Sequence, residues 1–256
     1  MQDSWINFKD VRNLPAFVKL RTKIRAIEEH KIAACVVPKT MSTATGAALC
    51  HLRKKDNNNW LHYPHCDDQI VHTSLQSFQE NFKLNKNYSD WDIWFVKRHP
   101  IDRFISGFID RCIRLGHNCH GCGFDIACYV KKLYEKLEIV VNHPQDIHID
   151  DFHVAPQNWF CQMEQNLNRL NFLRYSSDST ETFLLDLTAA LKEEKVNPST
   201  IRHIGAQISS RSASHETKSS RIRPFLENLI NSRKDLQQTL QAIYYWDFVL
   251  LDYPLI

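Results

Sequence analysis

The chain has 256 residues, 43% of them hydrophobic and 24% charged, and 32 Lys and Arg against 29 Asp and Glu leave a formal charge of +3. Such usage is that of an ordinary globular protein and excludes a disordered chain, while so mild a charge excludes a nucleic-acid binder working through a broad basic surface. A chain of this length can bury about 70 to 75% of its unfolded surface in one enzyme-sized domain.

Residues 1–29 are mixed and charged, with Arg21, Lys23 and Arg25 interrupting every apolar run. They read as an N-terminal extension ahead of a domain spanning 30–256. Nothing near Met1 reaches the roughly 20 apolar residues of a membrane span or the roughly 7 to 15 of a secretory core. Ile32 to Val37 (IAACVV) then reads as a buried strand, followed by Pro38-Lys39-Thr40-Met41-Ser42-Thr43 and a helical run from Ala44 to Leu52. A strand, a lysine-bearing loop with hydroxyls and a helix suit an anion. The helix start offers N–H groups and the positive end of its dipole, Lys39 a full charge, and Ser42 and Thr43 caps or phosphate ligands. The pattern is not a Walker A loop, and the same residues would also serve a capped helix with an exposed lysine. Cys35 and Cys50 read as buried free thiols.

Residues 53–90 are polar. Asn57-Asn58-Asn59 marks a loop, and His62, His65, Cys66 and His72 follow without metal-ligand spacing, so no metal is expected. Asn87-Tyr88-Ser89 is a glycosylation acceptor sequence, whereas Asn197-Pro198-Ser199 is excluded by its proline.

Ile93 to Lys97 has the composition of a strand buried on both faces, and Pro100 suits the first position of a following helix. Ile101, Phe104, Ile105, Phe108, Ile109, Cys112 and Ile113 form its apolar face. Arg98 at the strand end and Ser106 along the helix could grip a phosphate, or could be a surface arginine paired with Asp102 and an exposed serine. Cys112, Cys119, Cys122 and Cys128 crowd together next, with Cys161 beyond. In an oxidising compartment they are disulfides around the loop from Gly116 to Gly123; in a reducing one they could hold zinc.

Residues 126–141 have helical spacing and are expected to cover one face of a sheet. The stretch HPQDIHIDDFHVAPQ is a Pro-bounded loop rich in histidine and carboxylate. His153 within it is the candidate general base, because imidazole titrates near working pH; the alternative is that it only shapes the loop, and His148 is its rival. Residues 171–175 read as a strand and Thr180 to Lys195 as an amphipathic helix. Gly205 to Ser220 reads as a polar loop or lid, and Pro224 opens a helical C-terminus with aromatic core residues. Alternating strands and helices predict a single-domain α/β fold, a mainly parallel P-loop-like sheet with helices on both faces. Lys39 and Arg98 both lie beyond strand carboxyl ends, where such sheets bind ligands.

Pro38, Lys39, Ser42 and Thr43 match a P-K-x-x-[SC]-T loop, and Arg98, Pro100, Arg103 and Ser106 an R-x-P-x-x-R-x-x-S segment. His153-Val154-Ala155-Pro156-Gln157 matches an H-x-x-P-Q box, His215 to Ser220 an H-x-T-x-x-S stretch, and Tyr244 to Leu250 a closing Y-x-x-D-x-x-L segment. In this combination the chain resembles the Golgi carbohydrate sulfotransferases, in particular their chondroitin 4-O-sulfotransferase-like branch, from about residue 30 to the end. The resemblance implies the sulfotransferase fold and the donor 3′-phosphoadenosine 5′-phosphosulfate (PAPS). Lys39, Thr40, Met41, Ser42 and Thr43 would hold its 5′-phosphosulfate, and Arg98 and Ser106 its 3′-phosphate. Lys39 and His153 would be catalytic, in direct transfer of a sulfuryl group to a sugar hydroxyl. The resemblance further implies a glycan or proteoglycan acceptor such as chondroitin, a Golgi location, disulfides rather than zinc among the clustered cysteines, no metal, no nucleic acid, and membrane attachment only through an anchor outside this chain. His99 stands where the family commonly has an acid, and Met41 where many members have a small residue. Those departures keep a noncatalytic PAPS- or glycan-binding relative as the alternative.

Overall fold

The computed structural model describes residues 11–54, 70–84, 90–211 and 220–256. The strands are β1 (Ile24–Ile27), β2 (Ile32–Cys35), β3 (Val71–His72), β4 (Asp92–Arg98) and β5 (Leu170–Tyr175). The helices are α1 (Ser42–Lys54), α2 (Leu75–Asn81), α3 (Pro100–Phe108), α4 (Ile126–Asn142), α5 (Ile149–Phe152), α6 (Met163–Asn166), α7 (Glu181–Glu193), α8 (Pro198–Arg211), α9 (Arg223–Ser232) and α10 (Lys234–Leu250). The expected glycosylation sequence at Asn87, the residues His62, His65 and Cys66, and His215 to Ser219 lie outside the described residues.

Two compact units are present, each assembled from separated stretches of chain. The sheet unit takes residues from Lys19 to Arg98 and onward from Phe160 through α8; the helical unit takes residues up to Val18, His99–Trp159 and the C-terminal segment. In the sheet unit the strand order is β3-β1-β2-β4-β5. β2, β4 and β5 run parallel, while β1 pairs antiparallel with both β2 and β3. The fold is therefore α/β, a mixed sheet flanked by helices. A parallel strand buried on both faces must be apolar nearly throughout, and Ile93 to Val96 are buried without a break. One apolar cluster joins Ile32 and Ala34 of β2, Trp94 and Val96 of β4 and Leu173 of β5 to Ala48, Leu49 and Leu52 of α1, Phe183 and Leu187 of α7 and Ile204 of α8.

β1 was not legible, because Arg25 splits its apolar residues. Arg25 is only 8% exposed. Its Nη1 donates to the Ser42 carbonyl at 2.7 Å, a bond that lets a charged side chain occupy a buried strand. The stretch read as an extension thus supplies a strand of the sheet.

Cys35 and Cys50 are not free thiols. Cys35 is bonded to Cys161, and Cys50 is also in a disulfide. Cys112–Cys119 and Cys122–Cys128 close the clustered cysteines as disulfides. The expected loop beginning at Gly205 is helical as far as Arg211, because Ile201, Ile204 and Ile208 share one buried face of α8. The stretch between Asn142 and Phe160 is built of short helical turns rather than open loop. α4 belongs to the helical unit, where Tyr129 lies beside Phe104 and Phe108 of α3. α3 continues into a π-helical stretch, Ile109–Arg114.

Candidate functional site

The loop between β2 and α1 turns through two left-handed residues, Lys39 (φ 65°) and Met41 (φ 58°). Successive residues of opposite hand gather backbone N–H groups into an anion-binding concavity, and the start of α1 adds its dipole. No acidic residue lies in the first turn of α1 to offset that field. Thr40 is buried and donates its hydroxyl to the Val37 carbonyl at 2.9 Å, so its side chain holds the turn together. Met41 packs its side chain against the apolar core. Ser42 is half-buried and Thr43 exposed at the helix start.

Arg98 ends β4 opposite Tyr175 in the β5 register, and its guanidinium lies 5.0 Å from that ring's centre. Nη1 donates to the Lys39 carbonyl at 2.7 Å and Nη2 to Ser177 Oγ at 2.5 Å. Arg98 is 4% exposed, so this is an internal tie between the end of β4, the Lys39 loop and the turn after β5, not a surface ion pair with Asp102. Asp102 accepts from Arg223 instead. Ser177 and Tyr175 were missed from sequence; the only hint was a polar turn directly after a strand. Ser106 lies in the helical unit and is buried on α3, not exposed. The structure brings Lys39, Thr40, Met41, Ser42, Thr43 and Arg98 into one unit; Ser106 and His153 belong to the other.

His153 follows α5. Its Nδ1 lies 2.7 Å from the Ile149 carbonyl, which can only accept, so Nδ1 carries the proton and Nε2 is the basic nitrogen of the neutral ring. Its rival His148 caps α5, with Nδ1 accepting from the Asp150 N–H at 3.3 Å. The chain around His153 is pinned from several sides. Arg103 Nη1 donates to the Ala155 carbonyl at 2.6 Å and the Tyr244 hydroxyl to the Val154 carbonyl at 2.7 Å. Gly107 of α3 lies so near that a Cβ there would meet Val154 Cγ1 at 2.3 Å. Asp150 accepts from Arg111 at 2.7 Å and lies 2.7 Å from His117. Burial works against its ionisation, but these two partners outweigh burial and hold its carboxyl below the usual range.

Asp247, fully buried, accepts from the Gln157 N–H at 2.6 Å, the Asn158 N–H at 2.8 Å and Asn158 Nδ2 at 2.7 Å. Burial pushes its carboxyl up while these N–H groups pull it back. The closing sequence segment and the H-x-x-P-Q box are therefore one structural clasp. Asp247→Ala would strand those donors in a dry interior, and we expect it to lower the unfolding free energy by about 3 kcal/mol in urea titrations. A loss below roughly 1 kcal/mol would show that the clasp is not a major source of stability.

The sequence profile of the Sulfotransferase family matches residues 22–254. Uncharacterized protein C18B2.2 of Caenorhabditis elegans is 29% identical over 259 residues, covering 93% of this chain and 71% of that protein. Carbohydrate sulfotransferase chst-1 of the same organism is 26% identical over 262 residues, covering 94% of this chain and 78% of that protein. No solved structure gives a significant match.

Proposed function

Because the chain belongs to the Sulfotransferase family, for which sulfuryl transfer is the general activity, we propose that it is a carbohydrate O-sulfotransferase using PAPS as donor and a glycan hydroxyl as acceptor. The observation that carries this reading is the tie from Arg98 to the Lys39 carbonyl. It fixes a lysine at the left-handed turn of a loop that opens a helix with no acid in its first turn. Such a loop suits the phosphosulfate end of the donor.

In this reading Lys39 stabilises charge developing on the oxygen that leaves sulfur. Ser42, Thr43 and the backbone of Thr40 and Met41 hold the phosphate oxygens. Arg98 and Ser106 orient the donor through its 3′-phosphate, and Arg98 also sets the loop. Nε2 of His153 takes the acceptor proton as the hydroxyl attacks.

Both departures from the family pattern have structural homes. Met41 packs into the core, and the His99 ring meets Phe248 and Tyr253 edge-on at centroid distances of 5.7 and 5.3 Å. Neither replaces a charge in the loop, which supports the enzyme over a noncatalytic relative. We assign the acceptor to chondroitin or another N-acetylgalactosamine glycan and the location to the Golgi lumen. The disulfides fit an oxidising compartment. Among the described residues no helix is long and apolar enough to cross a membrane.

The test is calorimetric titration with 3′-phosphoadenosine 5′-phosphate (PAP), followed by transfer from labelled PAPS to chondroitin. Arg98→Ala is expected to weaken PAP binding by about 100-fold or more, since a charge-assisted contact and the loop geometry are lost together. Ser177→Ala, which leaves the charge in place, is expected to weaken it by roughly tenfold or less. Folded wild-type protein that fails to bind PAP would refute the donor assignment.

A further inference from the structure

The disulfides withdraw the clustered cysteines from zinc chemistry, but they frame a histidine. Cys112–Cys119 and Cys122–Cys128 bracket His120 in the chain. Cys119, His120 and Gly121 have φ of 47°, 59° and 85°, three consecutive left-handed residues of which two carry a Cβ. Such backbone is strained at each non-glycine position and persists only where its surroundings enforce it. Here the turn aims a side chain. His120 Nε2 lies 2.8 and 2.9 Å from the two carboxylate oxygens of Asp151, which is 1% exposed.

A third group completes the set. The His148 ring is centred 5.6 Å from that of His120, and one donor atom from each of His120, His148 and Asp151 lies within 4.8 Å of the others. The surroundings support a bound cation. The Tyr129 hydroxyl donates to Asp151 Oδ1 at 3.3 Å, an outer-shell bond of the kind that orients ligating carboxylates. The nearby Arg111 is neutralised by Asp150. The His148 side chain is 58% exposed, leaving an approach from solvent.

We propose that His120, His148 and Asp151 form a binding site for a divalent transition metal of the zinc class. Two imidazoles and one carboxylate are a three-ligand zinc set with room for water in the fourth position, whereas magnesium and calcium prefer oxygen. Metal bonds of about 2.0 to 2.2 Å require ligand atoms roughly 3.3 Å apart, so the His120–Asp151 contact opens by only about half an ångström. The ion joins the disulfide-framed turn to α5, directly before His153. It acts as a structural clamp in the helical unit and takes no part in the proposed sulfuryl transfer.

Disulfide-intact protein, stripped with a chelator, is titrated calorimetrically with Zn²⁺ and separately with Mg²⁺, and its Co²⁺ form is examined by visible absorption. One equivalent of zinc is expected to bind, magnesium not, with a tetrahedral cobalt spectrum. His148→Ala and Asp151→Asn are expected to weaken zinc binding at least about tenfold and to remove that spectrum. His148 is exposed, so its variant reports even if Asp151→Asn does not fold. Absence of stoichiometric binding, or equal binding by wild type and His148→Ala, would overturn the site.

Discussion

Lys39→Ala is expected to lower kcat by about 100- to 1,000-fold, the usual cost of removing one charge-stabilising donor from a transition state. Donor affinity should change far less. The main chain at this position is held by Arg98 through the Lys39 carbonyl, and Thr40 closes the turn on Val37, so both ties survive loss of the side chain. What disappears, in the proposed role, is the ammonium that would meet charge as it develops. Lys39→Arg should recover little, because a planar fork does not replace a compact charge at a fixed point. Kinetics with labelled PAPS beside PAP titration separate the two quantities. Unchanged kcat with strongly weakened binding would make Lys39 a binding residue and remove the catalytic role assigned to it.

The second large effect concerns stability. Cys35→Ser is expected to cost about 5 kcal/mol, because the Cys35–Cys161 bond closes a sequence separation of 126 residues and long loops lose the most entropy on closure. The melting temperature should fall by roughly 10 °C or more. Cys122→Ser, which opens a separation of 6, should cost only about 2 kcal/mol on the same model. The double variant Cys35→Ser, Cys161→Ser should behave like either single one, since both lose one bond. Equal losses at Cys35 and Cys122 would show that strain or residual unfolded structure, not loop closure, governs these disulfides.

Much of the candidate site followed from local rules. The apolar runs at Ile32 and Ile93, the proline after Arg98 and the lysine-bearing loop are short-range signals, and β2, β4, α1 and α3 stand where those signals put them. The readings that failed share another cause. Arg25 reads only as an interruption of an apolar run because its partner, the Ser42 carbonyl, is 17 residues away. Cys35 looked like an isolated thiol because its partner is Cys161. The loop expected from Gly205 was read without the isoleucines on the preceding turn, and those isoleucines make it a helix face.

By itself the sequence determined the α/β class, the family motifs and the candidate side chains for an anion, all of which depend on residue type and near-neighbour spacing. Tertiary structure alone decided how three polar side chains are partnered. Arg98 became a tie to the Lys39 loop, Asp247 a clasp on Gln157 and Asn158, and His120 a left-handed residue aimed at Asp151. The physical reason is that a charge can enter a dry interior only with a partner, and that partner is chosen by packing between stretches of chain whose separation in sequence carries no mark of the pairing.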